Sequence, residues 1–227
     1  MEVVKSERLL KALRSGILQC RPSVVIETGT FLGTGSTRII LEAFGTEVPE
    51  KFYTIEIEPT FYERARQNLA SFKYVEVLWG LSVDTHRAEQ FINHDPLLVP
   101  GEAARRNLLI ENPADPRSFY LSEIRAGVQG YASKAPDRWL ELLLNRHRTA
   151  TPLIALDSAG GIGWLEFCEV IRIMKGYKFL LFLDDINHVK HHRSLRYILS
   201  HPDFDLLDYE MKDGWLVAIS RPVPKFA

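Results

Sequence analysis

The sequence predicts an α/β fold: a doubly wound, mostly parallel sheet of seven strands with a terminal antiparallel hairpin and a helical cap insertion. Short β-branched and aromatic runs alternate with segments of helical periodicity, which is typical of parallel strands joined by helical crossovers. The last two strand-like runs flank a KDG turn, which indicates the hairpin. Residues 95–150 carry five prolines and no clear strand, which marks the insertion.

Composition favours one globular domain over residues 1–227, with the cap insertion at about 95–150. The chain has 227 residues, of which 46% are hydrophobic and 25% charged, and its formal net charge is -1. This balance excludes a general attraction to nucleic acid or to an anionic membrane. The two cysteines, Cys20 and Cys168, are far apart and suit reduced thiols. We therefore expect a cytoplasmic protein with a small-molecule partner, and homo-oligomer formation stays open.

The predicted elements follow one another along the chain in a regular order. The predicted strands are SVVIET, KFYTIEIE, YVEVLWG, TPLIALD, YKFLLFLDD, DFDLLDYEM and WLVAISR. The predicted crossover helices are STRIILEAF, PTFYERARQNLASF, SVDTHRAEQFI, GWLEFCEVIRIM and HHRSLRYILS. Pro59 suits an early helical position, and Ser82 is a plausible N-cap of the third crossover helix. Two further helical segments, SFYLSEIRAGV and DRWLELLLNRH, predict a small cap, either as packing decoration or as a substrate lid.

A glycine-rich turn, ETGTFLGTGS, joins the first strand to the first crossover helix. Glycine allows the backbone to bend tightly and to approach a ligand, and the amides at the start of the helix point to the same place. Ligands of open α/β sheets bind at the carboxyl ends of the strands. We therefore expect a nucleotide-like ligand at this turn, bound by Gly29, Thr30, Gly33, Gly35 and Ser36.

Two ligands compete for the glycine turn. TGTFLGTG matches the TGxxxGxG pattern of short-chain dehydrogenases, which bind a dinucleotide. However, YASK has the wrong spacing for their Tyr and Lys pair, and their NAG segment is absent from the sequence. Glu27 would also repel a pyrophosphate, whereas it complements the cationic methionine part of S-adenosylmethionine. The sequence thus favours S-adenosylmethionine.

The second and third strands supply the next part of this predicted site. Glu56 comes near the end of the second strand, where a carboxylate can accept both hydroxyl hydrogens of a ribose. Glu58 is the alternative, since strand ends are uncertain by a few residues. After the third strand, Gly80, Leu81 and Ser82 are expected to form an apolar shelf for an adenine ring.

With these segments the chain resembles the class I S-adenosylmethionine-dependent methyltransferases. ETGTFLG is similar to the ExGxxxG form of their first motif, IEIEP to their acidic second motif, and LWGLSVD to their adenine-side segment. LIALDS and FLLFLDDINH correspond to their fourth and fifth strands. The resemblance covers residues 24–95 and 151–221, and departs from the common GxGxG spacing. It implies a seven-stranded sheet and methyl transfer, which we expect to reach an oxygen of a small molecule. The alternatives are an NAD(P)-dependent oxidoreductase and a non-catalytic cofactor-binding scaffold.

Three carboxylates follow the fourth and fifth strands, namely Asp157, Asp184 and Asp185. At one rim they would repel one another unless they were protonated, paired with cations or gathered around a metal such as Mg²⁺. They resemble the acidic set of metal-dependent O-methyltransferases, which implies that a divalent ion lowers the pKa of the substrate hydroxyl. Alternatively, Asp157 caps the next helix or orients the cofactor, and Asp185 is an N-cap.

The segment NHVKHHRS follows the acidic pair. We predict His188 to be the general base, acting beside Asp157 and Asp185, because imidazole titrates near neutral pH. The alternative is an exposed basic helix turn; Zn²⁺ is disfavoured because adjacent His191 and His192 would point to different helix faces. Three aromatic residues are candidates either for an acceptor pocket or for the core: Trp79, Tyr131 and Trp164.

Overall fold

A computed structural model describes residues 7–129, 137–158 and 161–222. The strands are β1 (Val24–Thr28), β2 (Lys51–Glu56), β3 (Val75–Trp79), β4 (Leu153–Leu156), β5 (Leu180–Asp184), β6 (Phe204–Glu210) and β7 (Trp215–Ser220). The helices are α1 (Glu7–Cys20), α2 (Ser36–Phe44), α3 (Pro59–Asn68), α4 (Thr85–His94), α5 (Glu102–Arg105), α6 (Pro116–Gln129), α7 (Trp139–His147), α8 (Gly163–Ile173) and α9 (His192–Ser200). A 3-10 helix spans Pro96–Leu98.

The seven strands form one sheet in the order β3-β2-β1-β4-β5-β7-β6. Strands β1 to β5 are parallel, and β7 lies antiparallel between β5 and β6. The structure thus confirms the predicted doubly wound sheet with its terminal hairpin. The winding reverses between β1 and β4, so the carboxyl ends of these two strands flank the crevice where such sheets bind ligands.

Helices cover both faces of the sheet and bury its central strands. Helices α1 and α2 pack on one face through leucines and isoleucines such as Leu13 and Ile40. Helices α7, α8 and α9 pack on the other face, with Leu144, Phe167 and Leu195 in the same core cluster. Burial on both faces explains why β4 and most of β5 read as continuous apolar runs rather than as alternating ones.

The insertion divides into a helix of the core and a smaller cap. Helix α7 packs against one face of the sheet as part of the main core. The cap therefore comprises fewer residues than the predicted range of 95–150. Helices α4 and α6 and the 3-10 helix share a separate apolar cluster that includes Ile92, Leu98 and Tyr120. The Leu109 amide donates to the carbonyl oxygen of Asn187 at 3.0 Å. This backbone contact joins the cap to the segment that follows β5.

The N-cap of α4 differs from the sequence prediction, whereas the state of the two cysteines agrees with it. The N-cap of α4 is Asp84, whose carboxylate accepts from the Arg87 amide at 2.9 Å, and not Ser82. Cys20 and Cys168 are free thiols, as expected. Among the described residues, none of the helices combines the length and the apolar character that a membrane span requires.

Candidate active site

A cavity of about 500 Å³ lies at the carboxyl ends of the parallel strands. Its volume falls in the usual range for small-molecule and cofactor sites. The ends of all five parallel strands contribute to its lining, including Asp185 after β5, as does α6 of the cap. The main contributors are Thr28 after β1, Glu56 of β2, Gly80 after β3, Asp157 after β4, and Tyr120 and Ile124 of α6. The fold therefore encloses a cavity at the place where the sequence predicts a ligand site.

The glycine turn passes very close to the segment that follows β4. Gly29 has a φ of +80°, and a Cβ atom there would lie 2.2 Å from the carbonyl oxygen of Asp157. Gly33 has a φ of +68°, and a Cβ atom would meet the Leu69 side chain at 2.8 Å. Gly35 has open space around it. Of these three glycines, Gly29 lines the cavity, while Gly33 and Gly35 shape the turn.

Glu27 lies beneath the turn and not on the cavity wall, which corrects the expected direct contact with a cationic ligand. Its side chain is fully buried. Its carboxylate accepts hydrogen bonds from the hydroxyls of Ser36 at 3.0 Å, Thr37 at 2.8 Å and Thr54 at 2.7 Å. Burial raises its pKa to about 7, against the effect of these bonds. Glu27 therefore holds the turn in place from below.

Thr30 and Ser36, both expected to contact the ligand, also take part in this buried network. The two hydroxyl oxygens of Thr30 and Thr54 are 2.6 Å apart. The Ser36 hydroxyl lies 2.7 Å from Asp157 Oδ2 and contacts Glu27 as well. Neither Thr30 nor Ser36 lines the cavity. Ser36 thus connects the carboxylate beneath the turn with a carboxylate on the cavity wall.

Glu56 stands at the end of β2 and lines the cavity, as predicted for a ribose-binding acid. Its carboxylate accepts from the Phe31 amide at 2.7 Å and from the Glu58 amide at 2.9 Å. Burial raises its pKa to about 7, although these backbone hydrogen bonds oppose the rise. The alternative, Glu58, also lines the cavity, but its carboxylate caps α3 by accepting from the Phe61 amide at 2.7 Å. Glu56 therefore fits the predicted role better.

Gly80, Leu81 and Ser82 line the cavity next to this acid, as expected for the adenine side. Two phenylalanines, Phe31 and Phe61, line it too, with ring centroids 4.5 Å apart. Aromatic and aliphatic surface of this kind suits a planar ring.

Glu166 of α8 is a buried acid that is not among the predicted site residues. Its carboxylate accepts from the hydroxyls of Ser158 at 2.6 Å, Thr28 at 3.2 Å and Ser82. Burial raises its pKa, while these three hydroxyls lower it. Because its partners follow β4, β1 and β3, Glu166 joins three strand ends at the floor of the cavity. Because the helix dipole favours an acid in the first turn of any helix, the sequence carries no signal for this role of Glu166.

The predicted metal ligands surround a lysine instead. Lys190 Nζ lies 2.8 Å from Asp185 Oδ2 and 3.3 Å from Asp157 Oδ1. Asp184 is buried behind them, and its Oδ1 accepts from the Asp185 amide at 3.1 Å. Within the described ranges, no group of three or more His, Cys, Asp or Glu side chains is arranged to hold a metal ion. The Mg²⁺ site implied by the resemblance therefore does not fit the residues present.

Charge balance explains the position of Lys190. Burial lowers the pKa of its ammonium, but the carboxylates of Asp157, Asp185 and Asp184 outweigh that effect and raise it well above its usual value. Pairing with cations is one of the arrangements predicted for these acids, and Lys190 is the cation that provides it. Neither Asp157 nor Asp185 is a helix cap, since the N-cap positions of α8 and α9 are Ile162 and His191.

His188, the predicted general base, does not line the cavity. Its Nε2 lies 2.9 Å from Oε2 of Glu111, which does line it. Burial opposes ionisation of Glu111, but the hydrogen bond and charge of His188 outweigh it and lower the pKa of Glu111 to about 2. His188 thus reaches the cavity only through Glu111. The segment is not an exposed basic turn either, because His188 and His191 are buried.

Two of the three candidate aromatic residues, Trp79 and Trp164, do not contribute to the cavity wall. Trp79 donates through Nε1 to the carbonyl of Ile57 at 3.1 Å, and Trp164 stacks on Phe167 at 5.5 Å. Neither tryptophan lines the cavity, and Tyr131 lies outside the described residues. Among the residues that the structure describes, the aromatic ones that line it are Phe31, Phe61 and Tyr120.

Comparison with solved structures identifies the fold. The chain is similar to cofactor-bound Rv0187 from MTB, at 17% identity and a TM-score of 0.51 over 98% of this chain and 84% of that one. The chain is also similar to the O-methyltransferase from Bacillus cereus in complex with SAH, at 14% identity and a TM-score of 0.52 over 95% of this chain and 82% of that one. A methyltransferase from Geobacter sulfurreducens is similar at 11% identity and a TM-score of 0.51 over 96% of this chain and 80% of that one. No family model and no curated protein matches the sequence. The doubly wound sheet is therefore the Rossmann-like fold of the class I S-adenosylmethionine-dependent methyltransferases.

Proposed function

We propose that the protein is an S-adenosylmethionine-dependent methyltransferase that methylates an oxygen atom of a small-molecule acceptor. One observation carries the proposal: the buried carboxylate of Glu56 lies at the end of β2, on the wall of a cavity that the close approach of Gly29 helps to form. In this arrangement Glu56 would accept the ribose hydroxyls, and Gly80 and Leu81 would border the adenine.

The charges around the cavity support S-adenosylmethionine over a dinucleotide. Six carboxylates line the cavity, against one lysine ammonium among the described lining residues. A sulfonium nucleoside with a cationic amino group is attracted by this wall, whereas a diphosphate is repelled. The lining acids are Glu56, Glu58, Glu111, Glu123, Asp157 and Asp185.

Two of the solved structures that share this fold support the proposed chemistry. One is described as an O-methyltransferase in complex with SAH, and the other as a methyltransferase. An oxygen acceptor also suits the polar groups at the cap side of the cavity. There the Tyr120 hydroxyl and the Glu111 carboxylate, which hydrogen-bond each other, would contact a hydroxylated acceptor.

When bound, S-adenosylmethionine supplies a methyl group that its sulfonium already activates. The protein residues would hold donor and acceptor in line and keep water out. The turn at Gly29 and the acid Glu56 would fix the nucleoside. Helix α6 would cover the acceptor through Tyr120 and Ile124, which line the cavity.

Calorimetry with SAH and NAD tests the proposal. We expect SAH to bind and NAD not to bind; binding of NAD without SAH would instead favour the dehydrogenase alternative. Transfer of a labelled methyl group from S-adenosylmethionine to a panel of phenols, alcohols and amines then tests the activity. If SAH binds but no acceptor is methylated, the scaffold alternative is favoured, and methylation of amines alone would contradict an oxygen acceptor.

A further inference from the structure

Lys190 occupies the position between the strand-end acids where the resemblance implies a divalent ion. Its side chain is almost fully buried, with the residue 4% exposed, and it lines the cavity. The ammonium has three hydrogens and three oxygen neighbours: Asp185 Oδ2 at 2.8 Å, the Ser158 carbonyl at 3.1 Å and Asp157 Oδ1 at 3.3 Å. Its hydrogen-bonding capacity is therefore used entirely by this rim.

An ammonium and a metal ion cannot share this place. A Mg²⁺ or Ca²⁺ ion needs carboxylate oxygens at roughly 2.0–2.6 Å, so an ion bridging Asp157 and Asp185 would overlap the Lys190 nitrogen. Two like positive charges would also repel each other strongly in a buried site. The backbone fixes the lysine further, because its amide donates to His188 Nδ1 at 3.2 Å.

The ammonium is also connected to the glycine turn through side chains. Asp157 uses Oδ1 for Lys190 and Oδ2 for the Ser36 hydroxyl, whose oxygen also lies 3.0 Å from Glu27 Oε1 beneath the turn. Removing the positive charge at Lys190 would leave Asp157 free to move away from Ser36. The lysine is thus placed to hold both the rim acids and the cofactor turn.

We infer that Lys190 is a positioning residue that takes the place of the divalent cation, so that the protein holds its strand-end carboxylates in position without a metal. This inference rests on the proposed function, because it concerns the cavity in which methyl transfer would take place. It predicts that the methyl transfer needs no divalent ion.

Electron paramagnetic resonance of Mn²⁺ tests the inference without any acceptor. Free Mn²⁺ gives a sharp signal that is lost when the ion binds to a protein. We expect the wild-type protein to leave Mn²⁺ free, and Lys190→Met to bind it through Asp157 and Asp185. Lys178→Met is the matched control, since Lys178 is far from the cavity and contacts the carbonyl of Gln19; it should behave as the wild type does.

Cofactor affinity gives a second readout. We expect the wild-type protein to bind SAH with the same Kd in EDTA as in Mg²⁺, and Lys190→Met to bind it about tenfold more weakly. Stoichiometric Mn²⁺ binding by the wild type, abolished by Asp157→Asn, would overturn the inference. So would a folded Lys190→Met protein that binds no Mn²⁺. If Lys190→Met does not fold, the wild-type measurements decide alone.

The outcomes also separate this inference from the proposed function. A wild-type protein that excludes Mn²⁺ but does not bind SAH would contradict the methyltransferase and leave the role of Lys190 supported. A wild-type protein that binds SAH only in the presence of a divalent ion would contradict the role of Lys190 alone.

Discussion

The backbone of Gly29 crosses that of Asp157 so closely that a Cβ atom on Gly29 would lie 2.2 Å from the Asp157 carbonyl oxygen. No side chain fits at that distance, so the two loops that border the cavity can approach only because residue 29 is glycine. The contact lies between backbone atoms, and neither loop can relieve a clash by rotating a side chain.

Gly29→Ala should destabilise the protein and abolish SAH binding. A positive φ alone costs an alanine about 1–2 kcal/mol, and the clash with Asp157 adds to that cost. Gly176→Ala is a matched control, because Gly176 has a φ of +82° but a Cβ atom there would meet no other atom within 4 Å. Urea denaturation and calorimetry should show a larger loss of stability for Gly29→Ala, and loss of SAH binding for that variant alone. Equal effects of the two substitutions would contradict the close crossing.

Glu56→Gln should weaken SAH binding about tenfold to a hundredfold, because an amide can accept from the ribose less well than a carboxylate and hydrogen bonds to charged groups contribute about 1.5–3 kcal/mol. Calorimetry measures the change. Glu76→Gln, an exposed acid on the neighbouring strand, removes the same charge away from the cavity and should leave the Kd unchanged. Equal Kd values for all three proteins would argue against contact between Glu56 and the ribose.

Glu27→Gln should change how stability depends on pH. Burial raises the Glu27 pKa from 4.5 to about 7 in the folded protein. The folded state therefore keeps a proton that the unfolded chain loses, so this contribution to stability is complete below pH 4.5 and is lost as the pH rises through 7. The full loss is of order 3 kcal/mol.

Glutamine imitates the protonated acid and carries no such dependence. Free energies of unfolding, measured at several values between pH 4.5 and 8, should fall more steeply for the wild type than for Glu27→Gln. Parallel plots of unfolding free energy against pH for the two proteins would contradict the raised pKa of Glu27.

Glu166→Ala should destabilise the protein by about 3 kcal/mol and weaken SAH binding, because three buried hydroxyls lose their acceptor. All three hydroxyls, on Thr28, Ser82 and Ser158, belong to residues that line the cavity. Glu169→Ala is the control on the same helix: it is also buried, but it pairs with the arginines Arg87 and Arg172. It should lower stability and leave SAH affinity unchanged. If both alanine variants bound SAH with equal affinity, the proposed role of Glu166 in shaping the cavity would be contradicted.

The sheet was predictable because its strands are marked by their own residues. Apolar runs bounded by turns placed all seven strands, and the KDG turn placed the hairpin. Glu56 was predictable for the same reason, since a residue at the end of β2 must lie at the carboxyl rim. Periodicity also found α7, but the long proline-containing stretch before it made this core helix read as part of the cap.

Other features of the site depend on contacts between distant residues. Lys190 is followed by two histidines and reads as part of a solvated basic turn, yet it pairs with Asp157, which lies 33 positions earlier. Glu27 was expected to face the ligand, and only the packing of Thr37 and Thr54 around its carboxylate shows that it points below the turn. Long-range pairing and side-chain direction are not encoded in local spacing.

The walls of the cavity are drawn from separate parts of the polypeptide. Strand ends and their loops form the side with Gly29 and Glu56, whereas one excursion of the chain, through α6, supplies Tyr120, Glu123 and Ile124. Replacing the cavity-facing residues of α6 would alter one side of the cavity and leave the other side intact. If the proposed function is correct, grafting a single helix would change the selectivity for the methyl acceptor without rebuilding the proposed nucleoside pocket.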